Sequence, residues 1–265
     1  MPFGSPVVLT RCYMMPMPEP LPSRMPYADY VAGIRFRFIQ PQTKLPPGYR
    51  NMAKLLGALG ISFEFYNTIF PEDDAQMKRR LRSICRIPRM STLAIAGLIN
   101  RGVSQMPETQ AFVNVGLWHG FTFLSALADN PQKKCIGIDN FSKFGGPRDA
   151  FLARFQEYKS PHHEFHEMDY RDYFADIHQG SIGFYMYDGN HDYENQLLGL
   201  QAAEPFFSSG CIVLVDDTNQ EAPRRATLDF VSQSKSKYRL LLDRSTTRNG
   251  HPTFWQGIMI FQKGD

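Results

Sequence analysis

The sequence lacks the features that would assign it to several special classes of protein. It contains no run of about 20 apolar residues, so no membrane-spanning helix is expected. Its first 20 residues lack the charged start and apolar stretch of a signal peptide. The four cysteines show no paired metal-binding spacing. These absences predict a cytoplasmic protein with reduced thiols, among which Cys135 and Cys211 fall in apolar runs typical of buried strands.

The sequence also has little excess charge of either sign. The formal net charge is +3, and basic residues mingle with acidic ones without forming a long block. This balance gives no electrostatic footprint for nucleic acid. A small soluble substrate is therefore expected.

Residues 1–110 are expected to form an N-terminal arm and a helical subdomain that acts as a lid or contacts substrate or a second subunit. Ten of the 19 prolines lie within the first 47 residues, which excludes long helices there. Helices are predicted over residues 51–60, from about Pro71 to Arg86, and over residues 91–102. The last of these is expected to be capped by Ser91 and to end at Gly102.

Residues 111–265 are expected to form an α/β domain. Short β-rich runs alternate there with helical stretches, which is typical of a parallel sheet covered by helices. Seven strands are predicted, over residues 111–116, 134–139, 164–168, 182–188, 210–216, 238–243 and 255–261.

The first of these strands leads into a glycine turn. Gly116 and Gly120 allow the backbone to turn tightly before a helix that begins near Phe121, and a nucleotide-like ligand fits against such a turn. Asp139 ends the second strand, 19 residues after Gly120, where a carboxylate can accept hydrogen bonds from ribose hydroxyls. The pairing predicts an adenosine-containing cofactor, although the glycines alone are also explained by close helix–strand packing.

Two cofactor classes fit this arrangement. The G-x-G-x-x-G of dinucleotide-binding folds is absent, which disfavours an NAD(P)-dependent oxidoreductase without excluding it. Asn114, Gly116 and Gly120 match the acidic-x-Gly-x-x-x-Gly pattern of S-adenosylmethionine enzymes, with asparagine in place of the acid. An amide oxygen can still accept a hydrogen bond from the amino group of the cofactor.

Three more residues complete the predicted cofactor site. Thr122 lies in the helix after the turn, and Asp169 and Tyr170 follow the third strand. Asp169 is expected to hold the exocyclic amine of adenine, with Tyr170 near the ring. An equally good interpretation is that Asp169 only caps a short helix over residues 170–174.

Acidic residues end the fourth and fifth strands. If these strands are neighbours, about 4.8 Å apart, Asp188 lies beside Asp216 and Asp217. Three converging carboxylates repel one another unless a cation joins them, and hard oxygen ligands favour Mg²⁺. Each acid also has a simpler explanation, since Asp188 can begin a Gly-Asn turn and Asp217 can cap a helix.

His191 lies three residues after Asp188 and is the candidate general base. Its ordinary pKa of about 6.5 suits proton transfer near neutral pH. Taken alone, a histidine in such a turn is more often a solvated or hydrogen-bonding residue. The assignment therefore depends on the proposed metal site.

The order of these motifs resembles that of class I S-adenosylmethionine-dependent methyltransferases, specifically the metal-dependent sugar O-methyltransferases of macrolide biosynthesis such as the macrocin and mycinamicin enzymes. NVGLWHGFT, GIDNF, YDGNHDYE and VLVDDTN carry the likeness, which covers roughly residues 110–262. It implies a Rossmann-like, mostly parallel sheet of seven strands in the order 3-2-1-4-5-7-6. It also implies that Asp188, Asp216 and Asp217 bind metal and that His191 is the base.

The function expected from this sequence is S-adenosylmethionine-dependent, Mg²⁺-assisted O-methylation of a sugar-like or other small natural product. A non-catalytic binding protein with the same fold and a relative with hydroxylase activity remain alternatives, although the sequence lacks a two-His-one-carboxylate iron pattern. Arg224 and Arg225 either reach an anionic group of the substrate or lie exposed on a helix. A homo-oligomer formed through the N-terminal region is also possible.

Overall fold

A seven-stranded sheet forms the centre of the molecule. The computed structural model describes residues 24–58 and 62–264, so residues 1–23 of the proline-rich arm, with Cys12, and the last two residues of the helix predicted over residues 51–60 lie outside the described residues. The strands of this sheet are β3 (Gln110–Val115), β4 (Lys134–Ile138), β5 (His163–His166), β6 (Ser181–Tyr187), β7 (Phe207–Asp216), β8 (Tyr238–Arg244) and β9 (Ile258–Lys263). All seven predicted strands are present.

The strand order is β5-β4-β3-β6-β7-β9-β8, with only β9 antiparallel to its neighbours. Counted along the sheet's own strands, this is 3-2-1-4-5-7-6, which confirms the expected order. β9 begins three residues later than the predicted strand, at Ile258. The delay arises because Trp255 pairs with His251 in a turn, with reciprocal backbone hydrogen bonds of 3.0 and 3.1 Å.

Helices cover both faces of the sheet, as expected. On one face lie α5 (Leu93–Gln105), α6 (Phe121–Leu127) and α7 (Arg148–Tyr158), whose apolar side chains join Phe112 and Phe184 in one core. On the other lie α8 (Tyr170–Asp172) with a following π turn (Tyr173–Ile177), α9 (Tyr193–Ala203) and α10 (Glu221–Gln233). Their apolar residues pack on Val113 and Tyr185. Because the sheet is buried on both faces, its strands read as continuous apolar runs.

Shorter elements precede the sheet. They are α1 (Tyr27–Gly33), β1 (Arg35–Phe36), α2 (Tyr49–Ala58), α3 (Phe63–Asn67), β2 (Thr68–Ile69), α4 (Asp74–Leu81) and a 3₁₀ turn (Ile84–Arg86). β1 and β2 pair antiparallel in a small separate sheet. α4 starts later than predicted because Asp73, immediately before it, has a φ of 50°, outside the helical range.

α5 corrects two details of the sequence-based prediction. Its N-cap is Thr92, whose hydroxyl accepts from the Ile95 amide, and not Ser91. The helix runs through Gly102, which the sequence suggested as a stop. Gly102 is needed for another reason, because a Cβ there would overlap the ring of Phe184 on β6. The glycine therefore allows the helix to lie close on the sheet.

The same core contains residues of the N-terminal elements, among them Tyr30 and Leu81. The division into residues 1–110 and 111–265 and the lid role stay predictions. The three described cysteines, Cys85, Cys135 and Cys211, are buried and free, as expected for the last two. Within the described ranges, no helix combines the length and the apolar character that a membrane crossing requires.

Candidate active site

A cavity of about 870 Å³ opens at the carboxyl ends of β3, β4, β6 and β7. Parallel strands end on one edge of a sheet, so the turns that follow them meet there, and α/β proteins bind ligands at this edge. Its walls include Gly116, Asp139, Asp169, Asp188 and Asp217. Gly116 and Asp217, which lie 101 positions apart in sequence, are thereby brought to one pocket. Thr122, Tyr170 and His191 also line it.

The glycine turn after β3 is fixed by close contacts. Gly116 has a φ of 83°, and a Cβ there would overlap the carbonyl oxygen of Asp188. Gly120 has a φ of 91°, and its Cβ would lie 2.7 Å from the Phe151 ring. Both conformations favour glycine, and neither position has room for a side chain. The turn that forms one wall of the cavity is thus locked to the strand end that carries Asp188.

Asp139 organises the same turn. Its Oδ2 accepts from the backbone amides of Leu117 at 2.7 Å and Trp118 at 3.0 Å, while Oδ1 accepts from the Phe141 amide at 2.7 Å. Three amide donors leave a carboxylate with spare lone pairs, since it has about four acceptor sites. Asp139 lies on the cavity wall. Its predicted contact to ribose is compatible with this position and stays a prediction.

Asn114 lies behind the cavity wall. The side chain is fully buried, and its Nδ2 donates to the Gly116 carbonyl at 3.1 Å. The amide oxygen has no hydrogen-bond partner among the described residues. Asn114 therefore supports the glycine turn from below, and a direct contact to the cofactor's amino group remains untested. A buried acceptor without a donor is costly and indicates a missing partner.

Asp169 caps the short helix, in agreement with the simpler of its two interpretations. Its Oδ1 accepts from the Arg171 amide at 2.9 Å, and both carboxylate oxygens bind the Arg171 guanidinium. This hydrogen bonding lowers the pKa of Asp169. The residue still borders the cavity beside Met168 and Tyr170. The predicted adenine contact is thus compatible with the geometry but competes with Arg171 for the carboxylate.

The acidic cluster lies at the ends of β6 and β7, beside His191. His191 Nε2 lies 3.6 Å from Asp188 Oδ1 and 3.6 Å from Asp217 Oδ2, so the imidazole stands between two strand ends. Asp216, only 2% exposed, accepts the Asp217 amide at 2.9 Å. Asp217 itself adopts a φ of 58°, a conformation that aspartate tolerates better than most residues.

The pKa values in this cluster are all displaced upwards. Burial first, and then repulsion from Asp217 and Asp188, raise the pKa of Asp216 well above its usual value. Burial also raises the pKa of Asp188, and it raises that of Asp217 to about 6. Burial alone would lower the pKa of His191, but the neighbouring carboxylates outweigh it and raise that pKa. For the three carboxyl groups burial is the largest cause, so their ionised forms are disfavoured here, and a bound cation would stabilise them.

The fit of a metal ion to these residues is partial. The oxygen donors of Asp188, Asp216 and Asp217 are of the kind that Mg²⁺ prefers. Within residues 24–58 and 62–264, however, no three acidic, histidine or cysteine side chains converge closely enough to hold an ion as they stand. The predicted metal ligands are brought together in space, but their coordination geometry is not formed. Metal binding stays a prediction.

Gln196 was not identified from the sequence. It is fully buried on α9, and its Oε1 lies 3.4 Å from His191 Nδ1. An amide oxygen can only accept, so this contact places a proton on Nδ1 and turns Nε2 towards the acids. The residue occurs five positions after the histidine. No periodic or motif signal marked it, because its role depends on how α9 packs.

Residues of the N-terminal region and of the segment before β9 also line the cavity, and none of them was identified individually from the sequence. Arg89, Met90 and Ser91 line one side, and Trp255 and Gln256 line another. Arg224 and Arg225 do not lie free beside the site. Arg224 forms a two-pronged ion pair with Asp243, at 2.9 and 2.6 Å, and the Arg225 guanidinium lies 4.7 Å from the Tyr193 ring centre.

The central part of the chain matches the model of a known protein family. Residues 113–218 match the family model of a methyltransferase domain. This stretch contains the glycine turn, Asp139 and the whole acidic cluster. The match supports an S-adenosylmethionine-dependent methyltransferase and does not favour an NAD(P)-dependent oxidoreductase. A comparison with curated proteins found no match.

Solved structures share the fold at low sequence identity. The calicheamicin methyltransferase CalS11 has a TM-score of 0.56 and 17% identity, covering 84% of this chain and 96% of its own. Cofactor-bound Rv0187 from MTB has a TM-score of 0.53 and 13% identity, with coverages of 83% and 98%. An O-methyltransferase from Bacillus cereus in complex with SAH has a TM-score of 0.51 and 11% identity, with coverages of 81% and 97%. At such identities, the likeness shows the methyltransferase Rossmann-like fold.

Proposed function

We propose that this protein transfers a methyl group from S-adenosylmethionine to a hydroxyl oxygen of a small, sugar-like acceptor, with Mg²⁺ bound beside the reacting hydroxyl. The observation that carries the proposal is the position of His191. Its Nε2 lies 3.6 Å from both Asp188 and Asp217, at the same edge of the sheet as the glycine turn. A proton acceptor and the acids Asp188 and Asp217 thus share one cavity with a nucleotide-type turn.

The cofactor's part of the cavity is the half built at the ends of β3, β4 and β5. We assign Gly116, Gly120 and Thr122 to its binding, with Asp139 at the ribose and Asp169 and Tyr170 at the adenine. The backbone of the turn is already held by Asp139, so little reorganisation accompanies binding. S-Adenosylmethionine supplies the activated methyl group on its sulfonium.

His191 acts as the general base in this proposal. Its Nε2 accepts the proton of the acceptor hydroxyl, and the oxygen attacks the methyl carbon as the carbon–sulfur bond breaks. The electron pair of that bond remains on sulfur. Gln196 holds Nδ1 of the ring, so that Nε2 faces the reacting groups.

The metal part of the proposal rests on the charge of the cluster. Asp188, Asp216 and Asp217 would hold the ion. Burial raises the pKa values of all three, and neighbouring carboxylates raise those of Asp216 and Asp217 further. Such an ion would lower the pKa of a substrate hydroxyl that it contacted and would help to orient it. The N-terminal lid, a homo-oligomer and a cytoplasmic location also stay predictions.

Two assays test the proposal. Calorimetry of the native protein with S-adenosylmethionine and with NAD(P) compares the two cofactor classes, and binding of NAD(P) alone would refute the methyltransferase assignment. Release of S-adenosylhomocysteine is then measured against a panel of sugars and other hydroxyl compounds, with Mg²⁺ and with a chelator. Turnover that is unchanged in the chelator would refute the metal requirement. Tight cofactor binding with no turnover on any hydroxyl would favour a non-catalytic binding protein, for which the asparagine at position 114 is the one supporting feature.

A further inference from the structure

A second cavity, of about 660 Å³, lies directly beside the first. Its lining is entirely polar, and it comprises Thr218, Asn219, Arg224, Asp243, Ser245, Thr246, Thr247, Arg248, Asn249 and Gln256. Its volume is in the range of about 300–1,000 Å³ that is typical of small-molecule sites. Most such sites are lined by apolar side chains. An entirely polar lining therefore indicates a strongly oxygenated or charged ligand.

The two cavities are continuous. Asn249 and Gln256 line both of them. Asp217 lines the first cavity and the next residue, Thr218, lines the second. A ligand whose reacting hydroxyl lies at Asp217 and His191 would therefore extend its remaining part into the polar cavity.

The walls of the polar cavity are held rigidly. Asn219 Nδ2 donates to the Thr246 carbonyl at 2.9 Å, and the Thr246 amide donates back to Asn219 Oδ1 at 3.0 Å. The Thr247 hydroxyl donates to the Thr43 carbonyl at 2.9 Å. Gln42 donates to the carbonyl of Ser245 at 3.0 Å. The segment that carries Arg248 is thus fastened both to the end of β7 and to the N-terminal region, which favours a preformed site.

The charges of this cavity are unequally paired. Arg224 is neutralised by Asp243 through two hydrogen bonds. The Arg248 guanidinium, by contrast, has no acidic partner within the part of the chain that the structure describes. The Thr218 side chain is 1% exposed, and its hydroxyl has no hydrogen-bond partner there either. One positive charge and one buried hydroxyl thus lack partners in a rigid polar cavity.

From these observations we infer that the second cavity is a subsite for a phosphate group of the acceptor, with Arg248 as the residue that recognises its charge. Guanidinium groups bind phosphate through paired, charge-assisted hydrogen bonds, and a hydroxyl such as that of Thr218 can donate a further one. The acceptor is therefore a phosphorylated or nucleotide-linked sugar. This inference rests on the proposed function, because it names the substrate class of that site.

The test measures binding and not turnover. The full-length protein, saturated with S-adenosylhomocysteine, is titrated calorimetrically with methyl glucoside, glucose 1-phosphate and a nucleoside diphosphate glucose. We expect the phosphorylated sugars to bind at least about tenfold more tightly than methyl glucoside. Whichever of the two phosphorylated sugars binds more tightly shows whether the subsite prefers a simple sugar phosphate or a nucleotide-linked sugar. Equal affinity for charged and neutral sugars, or no binding of the phosphorylated ones, would overturn the inference.

Substitutions in the second cavity test which residues cause the preference for phosphorylated sugars. Arg248→Ala should remove the roughly tenfold preference, Arg248→Lys should restore part of it, and Thr218→Val should weaken it about threefold. Arg244→Ala is the matched control, since Arg244 is an exposed arginine nearby that does not line the cavity. A preference that survives in Arg248→Ala would contradict the assignment.

The same titrations without S-adenosylhomocysteine separate this inference from the proposed function. If S-adenosylhomocysteine does not bind at all, the methyltransferase proposal fails. Binding of the phosphorylated sugars, sensitive to Arg248→Ala, would still support an anion subsite in that case. If S-adenosylhomocysteine binds but the sugars show no preference for phosphate, only the subsite is refuted.

Discussion

The two halves of the cavity differ in the surroundings of their carboxyl groups. On the side formed by β3, β4 and β5, Asp139 is held by three backbone amides and Asp169 by Arg171. On the β6–β7 side, Asp188, Asp216 and Asp217 repel one another, and their pKa values are raised. We infer that the first half is preorganised to bind the cofactor. The second half stores unfavourable electrostatic energy that its ligands would relieve.

Neutralising one acid on the β6–β7 side of the cavity should have the largest effect. We expect Asp188→Asn to reduce methyl transfer by at least about 10³-fold, because it removes a metal ligand without changing the shape of the side chain. Asp217→Asn should act in the same way. S-Adenosylhomocysteine affinity, measured by calorimetry, should change little in both variants. Asp176→Asn, an exposed acid remote from the cavity, is the control, and a loss of cofactor affinity as large as the loss of rate would remove the distinction between the halves.

A side chain at position 116 should disrupt the glycine turn on the cofactor side of the cavity. Gly116→Ala introduces a Cβ that overlaps the Asp188 carbonyl, so we expect a loss of about 3 kcal/mol in the free energy of unfolding and weak cofactor binding. Urea unfolding and calorimetry measure the two effects. Gly180→Ala is a matched control, because Gly180 has a similar φ of 89° with no atom within 4 Å of its Cβ position. Equal losses in the two variants would show that backbone strain, and not the contact, is responsible.

Removing the base should have a smaller effect than removing the acids. We expect His191→Ala to lower the turnover rate about 10²-fold while leaving Mg²⁺ affinity nearly unchanged. A wild-type rate in this variant would rule out His191 as the base.

Removing the side chain that orients His191 should lower the turnover rate still less. Gln196→Leu should lower the rate about tenfold, and Gln196→Glu, which keeps an acceptor at Nδ1, should recover most of it. Nitrogen NMR of the imidazole reports whether Nδ1 keeps its proton. Gln201→Leu, an exposed glutamine on the same helix, should leave both readings unchanged. An unaltered tautomer in Gln196→Leu would indicate that the residue has only a packing role.

The smallest expected effect is on stability as a function of pH. The raised pKa values of Asp217, about 6, and of His191 mean that the folded protein binds more protons here than the unfolded chain does. Stability from these groups is therefore present at low pH and is lost as pH rises from about 4 through their folded pKa values. Melting temperatures between pH 5 and 8 should fall less steeply in Asp217→Asn than in the native protein. An identical slope would argue against charge stored in the cluster.

The sequence predicted the sheet and the positions of the acids because both depend on local patterns. The apolar runs of β4 and β6 mark strands that are buried on both faces, and Asp139 and Asp188 follow them directly. Parallel strands then bring their ends together without further information. The order of all seven strands came from the family resemblance.

Packing between distant elements could not be predicted in this way. Gln196 reaches His191 only because α9 returns along the sheet, and Arg89 reaches the cavity through its place in the tertiary fold. Arg171 engages Asp169 through a side-chain conformation that the sequence does not encode locally. Gly102 was misread as a helix stop because the Phe184 ring that it accommodates lies 82 positions away.

The most direct test of the account is a calorimetric titration of the native protein in two steps. S-Adenosylmethionine is added first in the presence of a chelator, and Mg²⁺ is then added to the complex in chelator-free buffer. The account predicts that the cofactor binds without metal, because its half of the cavity is already paired, and that Mg²⁺ binds to the native protein but not to Asp188→Asn. Failure of S-adenosylmethionine to bind, or equal Mg²⁺ binding by the two proteins, would contradict it.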